Sequence, residues 1–125
     1  MKEIDFSYNW NNKLDCKAFT SLRLSDRFDV GEQVRVTLHH KKKFFAEVVD
    51  KRWILLDEIN EYIARIDTGY SAEECKDILR KMYKGRNVDW SKQKIYHYLF
   101  KKVEYVDDSQ MLFCDGNNEN TDKSN

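Results

Sequence analysis

The sequence lacks the features of a membrane-inserted or secreted protein. No apolar run reaches the roughly 18 residues of a membrane span, and the N-terminus lacks the charged-then-apolar order of a signal peptide. Cys16, Cys75 and Cys114 are an odd number of cysteines without a C-x-x-C pair. This argues against a disulfide framework and for a reducing compartment. We therefore expect a cytoplasmic protein without a membrane partner.

The sequence also lacks a recognisable metal site. His39, His40 and His97 are not spaced from the cysteines as zinc ligands would be. We expect no metal and no other cofactor. Cys75 falls on the apolar face of a predicted helix and is expected to be a packed core thiol, while His97 is expected to be a hydrogen-bonded core or cleft histidine.

Charge divides the chain into two parts. At 125 residues the chain is predicted to form one domain, with 22 basic and 22 acidic residues in balance. Residues 107–125 carry five acidic side chains and one basic, so their net charge is −4 and that of residues 1–106 is +4. We predict a folded domain over 1–106 and a disordered acidic tail over 107–125. A mildly basic domain is compatible with a nucleic-acid partner, and a monomer is the default expectation.

Alternating apolar residues predict strands in the first half of the chain. Phe6, Tyr8 and Trp10 predict a short edge strand that ends at Asn11-Asn12. Gly31 is placed at a turn that requires positive φ. The further predicted elements are a strand over 17–24, a strand over 33–40, a hairpin tip over 40–43, a returning strand over 44–50 and a short apolar run over 53–56.

Helical spacing appears in the second half. A helix is predicted from Asp57 to Gly69, and a second begins at a capping box in which Ser71 is the N-cap and Glu74 reaches back to it. The strand over 93–103 is apolar on both faces, which indicates a central strand. The order of elements predicts an α+β domain.

One short stretch, residues 14–24, gathers chemically useful side chains. Lys17, Thr20, Ser21 and Arg23 make a cationic, hydroxyl-bearing strand of the kind that holds a phosphate, a carboxylate or a polarised carbonyl. Lys17 and Thr20 fall on opposite faces of a regular strand, so one shared site requires a loop or bulge within 15–19. The alternative is an ordinary strand with a wet outer face.

Two further groups are candidate ligand contacts. Lys41 and Lys42 belong to a basic cluster that is either a solvated hairpin tip or a phosphate-contacting patch. Trp90 and Tyr96, with Trp10, are candidates for stacking on a base, although aromatic residues more often form core.

With these elements in order, the sequence resembles the ASCH family within the PUA-like superfamily. The resemblance covers roughly residues 6–105 and rests on the order and spacing of three motifs. They are Lys17-Ala-Phe-Thr20-Ser-Leu-Arg23, Phe28-Asp-Val-Gly31-Glu-Gln-Val34, and Ala64-Arg-Ile-Asp67-Thr-Gly-Tyr70-Ser-Ala-Glu. It implies a small mixed β-barrel flanked by two or three helices, with a cleft beside the barrel, and binding of RNA or a nucleotide.

The resemblance also implies a possible reaction. Some small bacterial members look like amidohydrolases that remove the acetyl group of N4-acetylcytidine with a lysine, a threonine and a glutamate. Here the lysine matches Lys17 and the threonine matches Thr20, whereas Thr68 occupies the place of the glutamate and Asp67 precedes it. In this hypothesis Thr20 is the nucleophile, Lys17 the base and Asp67 the group that orients Lys17.

Three functions therefore stay open. A binding module would use Lys17 and Arg23 on phosphate, Ser21 and Thr20 as hydrogen-bonding groups, and an aromatic residue to stack on a base. An amidohydrolase would use the same stretch for catalysis. A protein-interaction adaptor would instead use the acidic tail.

Overall fold

The computed structural model of the chain describes residues 1–104, which form one five-stranded sheet with two α-helices. The strands are β1 (Lys2–Phe6), β2 (Ala18–Arg23), β3 (Gln33–Leu38), β4 (Lys41–Ile54) and β5 (Ile95–Val103). The helices are α1 (Glu61–Asp67) and α2 (Ala72–Met82), with 3-10 turns at Trp10–Asp15 and Leu56–Glu58. No helix among these is long and apolar enough to cross a membrane. The tail predicted over 107–125 lies outside the described residues.

The sheet is mixed and open. Its strand order is β1-β3-β4-β5-β2, with β1 parallel to β3 and the other pairs antiparallel. The α+β class is thus confirmed, but a closed barrel is not present in residues 1–104, because no ladder joins the outer strands β1 and β2. Side chains connect these two edges instead: Arg23 Nη2 donates to the Asp5 carbonyl at 2.9 Å, and the rings of Phe6 and Phe19 lie 6.0 Å apart.

Each face of the sheet covers its own apolar cluster. One cluster contains Phe28, Tyr98 and Phe100, and the other lies under the helices and contains Cys75, Leu79 and Ile95. Strand β5 contributes to both clusters and lies between β4 and β2, as its two apolar faces predicted. Cys75 is buried, as expected of a core thiol.

The chain after β1 departs from the predicted strand. β1 ends at Phe6, and a 3-10 turn follows at Trp10–Asp15. Asn11 and Asn12 have φ of 56° and 53°, which breaks any strand; asparagine tolerates this left-handed region better than most residues. The alternation of aromatic residues therefore does not continue as a strand, and Tyr8 is exposed.

The hairpin and the strand after it also differ from the sequence-based expectation. Positive φ falls on His39 and His40, so the turn lies there and Lys41 already belongs to β4. β4 is one continuous strand of 14 residues rather than two pieces. Its register shifts between Val48 and Asp50, and such an irregularity lets a long strand bend and continue. The turn at Gly31, with φ of 91°, is as predicted.

The first helix is shorter than predicted and the second agrees. Residues Leu56–Glu58 form a 3-10 turn, and α1 begins after Asn60, whose side chain accepts a hydrogen bond from Ile63 N at 2.9 Å. Ahead of α2, Ser71 Oγ accepts from Glu74 N at 3.2 Å, and Glu74 Oε1 accepts from Ser71 N at 3.1 Å. This is the reciprocal capping box that the sequence indicated.

Candidate functional site

Three buried polar side chains meet where the first 3-10 turn, β2 and α1 come together. Lys13 Nζ donates to Asp67 Oδ1 at 3.0 Å, and Thr20 Oγ1 donates to the same oxygen at 3.0 Å. The exposed fractions are 4 % for Lys13, 7 % for Thr20 and 6 % for Asp67. We call this group the polar cluster. It unites an ammonium, a carboxylate and a hydroxyl away from bulk water.

Local backbone geometry brings Lys13 into this cluster. The positive φ values of Asn11 and Asn12 reverse the chain so that Lys13 and Leu14 are buried. Asn11 Nδ2 also donates to the Arg65 carbonyl at 3.3 Å, which links the turn to α1. The chain leaves α1 through Gly69, where a Cβ would lie 3.0 Å from the Asn11 side chain. The positive φ of 83° and the close approach of the Asn11 side chain therefore both favour glycine at this position.

The ionisation of Lys13 reflects its burial. Burial lowers the pKa of Lys13, and the neighbouring Asp67 carboxylate opposes this only in part. A lysine with a lowered pKa loses its proton more readily and is suited to act as a base or a nucleophile. Buried ion pairs of this kind are costly to break, because the remaining partner is left charged and unpaired.

A cavity of about 150 Å³ lies beside Lys13 and Asp67. We call it the ring cavity, because its volume suits one aromatic ring. Its apolar wall comes from β1 and α2, and its polar lining includes Ser21 and Arg23. Arg23 Nε donates to Ser21 Oγ at 2.8 Å, and the guanidinium lies 4.7 Å from the centre of the Phe6 ring. Trp10, Cys75, Leu79, Met82 and Tyr83 complete much of the wall.

Thr20 opens onto a different space. A groove of about 510 Å³ is lined by Thr20, by His97 and by α1 residues including Tyr62 and Ile66. Burial lowers the pKa of His97, which favours the neutral imidazole. Its Nε2 is buried and has no hydrogen-bond partner within the described part of the chain. The hydrogen bond expected for this histidine is therefore not seen at Nε2.

Lys17 is not part of the polar cluster. It is exposed and precedes β2, its carbonyl accepts a hydrogen bond from Lys102 N at 2.8 Å, and its side chain lines neither the ring cavity nor the groove. The irregular backbone predicted within 15–19 is present, because the 3-10 turn ends at Asp15 and residues 16 and 17 lie outside β2, but it does not bring Lys17 to the polar cluster. The structure therefore brings together Thr20 and Asp67, with Lys13 in the place predicted for Lys17.

The other candidate residues fall into two groups. Ser21 and Arg23 line the ring cavity. Lys41 and Lys42 are exposed on the β3–β4 hairpin, while Trp90 and Tyr96 are half-buried against the two apolar clusters, and none of these four lines the ring cavity or the groove.

Sequence reasoning missed Lys13 and the wall contributed by α2. A usable signal for Lys13 was the Asn11-Asn12 pair ahead of it, because two adjacent asparagines favour a chain reversal. Cys75 also lines the ring cavity, but burial raises the pKa of its thiol to about 11. It is therefore protonated at neutral pH and unsuited to nucleophilic attack.

Within residues 1–104, a group of metal-ligand types occurs away from the polar cluster, with His40 exposed and the two carboxylates partly buried. Ligand atoms of Glu3, Asp5 and His40 lie within 4.8 Å of one another. Asp5 Oδ1 accepts from Thr37 Oγ1 at 2.6 Å and from His40 N at 2.7 Å. These hydrogen bonds within the protein account for the arrangement.

No protein-family profile matches the sequence, and no curated protein matches it. Among solved structures, the chain is similar to a point mutant of ZmASCH from Zymomonas mobilis, with a TM-score of 0.52 and 11 % sequence identity. The match covers 94 % of this chain and 82 % of that one. At this identity the likeness concerns the fold alone. The chain therefore has an ASCH-like fold, as the sequence motifs indicated.

Proposed function

We propose that the chain binds a nucleoside or nucleotide, free or as part of RNA, with the base in the ring cavity. The observation that carries this proposal is a cavity of about 150 Å³ in which an apolar wall faces the buried Asp67 and Lys13. A cavity of roughly 150 Å³ holds a single benzene-sized ring, so a pyrimidine is a closer fit than a purine.

The hydrogen-bonding pattern of Asp67 supports recognition of an amino group. Both of its bonds, from Lys13 and from Thr20, end on Oδ1. Oδ2 accepts no hydrogen bond from any residue of the range 1–104. A carboxylate oxygen of this kind accepts from the exocyclic amino group of cytosine, while Lys13 supplies a donor on the same side of the cavity.

Binding is tested with cytidine, followed by NMR on the isotope-labelled full chain. We expect shifts of resonances from residues around the ring cavity, such as Trp10 and Leu79, and weaker binding by Asp67→Asn. Asp57→Asn changes charge equally at an exposed site and serves as the matched control. Absence of shifts at millimolar cytidine, uridine and adenosine would refute the proposal.

A second candidate is hydrolysis of an N-acylated nucleoside, favoured by the contact of Lys13, Asp67 and Thr20. Thr20 Oγ1 would attack the amide carbonyl and give up its proton to Asp67, which accepts its hydrogen bond, or to Lys13 in its neutral form, and that proton would then pass to the nitrogen of the leaving amine. The amine would leave as the free nucleoside, and water would then release the acyl group from Thr20. Because Thr20 lines the groove while Lys13 lines the ring cavity, the acyl group would have to enter from the side of His97.

The hydrolase candidate is tested by incubation with N4-acetylcytidine and chromatography of released cytidine. Thr20→Val and Lys13→Gln are expected to abolish release, and circular dichroism checks that each variant is folded. Lys17→Gln is the matched control and should retain full activity. Turnover that survives Thr20→Val would exclude Thr20 as the nucleophile, and absence of turnover in the native chain would leave binding alone.

A further inference from the structure

We propose that Arg23, Arg27 and Arg86 form a binding site for a phosphate group next to the ring cavity. The three residues line a cleft of about 140 Å³ together with Leu24, Ser25, Phe28 and Tyr83. We call it the arginine cleft. It shares Arg23 and Tyr83 with the ring cavity, so the two spaces are neighbours across these side chains.

No carboxylate forms an ion pair with the arginines of the cleft within the described chain, although Asp5 and Asp67 lie close enough to attract the Arg23 charge. No carboxylate oxygen of residues 1–104 lies within the 4.0 Å ion-pair distance of any of the three guanidinium groups. Each group instead lies over an aromatic ring. The distances to the ring centres are 4.7 Å for Arg23 on Phe6, 5.0 Å for Arg27 on Phe28 and 5.4 Å for Arg86 on Tyr83.

Two acidic residues near Arg27 form ion pairs with lysines instead. Asp26, next to Arg27 in the sequence, pairs with Lys51 at 2.8 Å, and Glu32 pairs with Lys2 at 3.3 Å. Arg27 Nη2 donates only to a backbone carbonyl, that of Glu3, at 3.3 Å. Three like charges around one small space repel one another, and an anion placed between them relieves that repulsion.

Phosphate suits this arrangement better than a carboxylate. Guanidinium groups bind phosphate oxygens through paired N–H donors, and a phosphate monoester carries about two negative charges and three acceptor oxygens for three arginines. Each guanidinium is held over a ring. Arg23 already donates from Nε to Ser21 and from Nη2 to the Asp5 carbonyl, and Arg27 donates from Nη2 to the Glu3 carbonyl. Nη1 of Arg23, the other N–H groups of Arg27 and the guanidinium of Arg86 therefore remain for an anion. A base in the ring cavity and a phosphate in the arginine cleft would then belong to one nucleotide.

The inference rests on the proposed function for the base, but the phosphate site can be tested without it. Calorimetry would compare cytidine with cytidine 5′-monophosphate on the full chain, and NMR would follow the arginine Nε–Hε signals during addition of inorganic phosphate. We expect the monophosphate to bind at least about tenfold more tightly, since charged hydrogen bonds of this kind contribute on that order. The double variant Arg27→Gln/Arg86→Gln should bind the monophosphate no more tightly than it binds cytidine.

A control variant separates a specific site from general charge. Arg80→Gln/Arg65→Gln removes the same charge from exposed arginines that pair with Asp77 and Glu61. This variant should still bind the monophosphate more tightly than cytidine. Cytidine binding without a gain from the phosphate, or a gain that survives Arg27→Gln/Arg86→Gln, would overturn the arginine cleft and leave the proposed function standing. Phosphate-induced shifts of Arg27 and Arg86 without cytidine binding would support the cleft and refute the nucleoside proposal. Binding of none of these probes would overturn both.

Discussion

Lys13 and Lys17 are close in sequence but differ in environment. Lys13 is buried against Asp67, whereas Lys17 is exposed. We expect Lys13→Met to lower the free energy of unfolding by about 3–5 kcal/mol, because it leaves the Asp67 carboxylate buried without its cationic partner, with only the hydrogen bond from Thr20. Lys17→Met should change it by less than about 0.5 kcal/mol. Urea unfolding of both variants measures the difference.

A double variant distinguishes the stability cost of an unpaired buried charge from the stability cost of lost packing. Lys13→Met/Asp67→Leu removes both charges and should recover most of the stability lost in Lys13→Met. If the two single lysine variants were equally stable, the ion pair would contribute nothing to the fold, and its place in the site would need another explanation.

His97 is expected to make stability depend on pH. Burial lowers the pKa of His97 in the folded chain, whereas the unfolded chain has the ordinary value of about 6.5. Above that value the imidazole is neutral in both states. As the pH falls below it, the unfolded chain binds a proton that the folded chain resists, so stability falls until the folded pKa is reached.

The measurement is urea unfolding at about pH 7.5 and at about pH 5.5, on either side of the ordinary histidine pKa. His97→Phe should reduce the loss of stability between the two conditions. His39→Phe is the control, because His39 is exposed in the turn between β3 and β4. An equal loss of stability between the two pH values in the native chain and in His97→Phe would show that groups other than His97 cause the pH dependence.

At the scale of elements, alanine substitutions at three glycines distinguish the stability cost of a strained backbone from that of a crowded neighbour. Gly31 and Gly69 have φ of 91° and 83°; a Cβ at Gly31 meets nothing within 4 Å, and one at Gly69 meets the Asn11 side chain at 3.0 Å. We expect Gly31→Ala to lower the free energy of unfolding by about 1–2 kcal/mol from backbone strain alone. Gly69→Ala should lower it further. Gly85→Ala, with open space and no positive φ, should lose little or nothing.

Thermal unfolding of the three variants shows their order of stability directly. The decisive comparison is Gly69→Ala with Gly31→Ala, since both have positive φ and only one has a crowded neighbour. If the two melt at the same temperature, the contact between the first 3-10 turn and the end of α1 is looser than the distance to Asn11 implies.

At the scale of the whole molecule, β5 connects parts of the chain that are far apart in sequence. It pairs with β4 on one side and with β2 on the other. A chain that ends at residue 106 keeps every described strand, so we expect its melting temperature to match that of the full chain. A chain that ends at residue 94 loses β5 and should show no cooperative transition by circular dichroism.

The same comparison tests the predicted domain boundary. A clearly lower melting temperature for the chain that ends at residue 106 would show that residues 107–125 contribute to the folded domain. That result would contradict the sequence-based division into domain and tail, which rests on composition and charge.

Local signals in the sequence determined the elements whose causes are themselves local. The Ser71–Glu74 capping box, the turn at Gly31 and the two apolar faces of β5 depend on side chains within a few residues of one another, and the structure contains all three. The order of such elements was enough to predict an α+β fold similar to ASCH proteins. Propensity and periodicity carry that much information.

Tertiary structure alone decided which lysine belongs to the site and whether the sheet closes. Lys13 is buried because the end of α1, 54 residues later, delivers Asp67 beside it. The sheet stays open because β1 ends at Phe6 and no ladder joins it to β2. Both outcomes depend on packing between distant segments, and the free energy of that packing is not encoded in the pattern of any one segment.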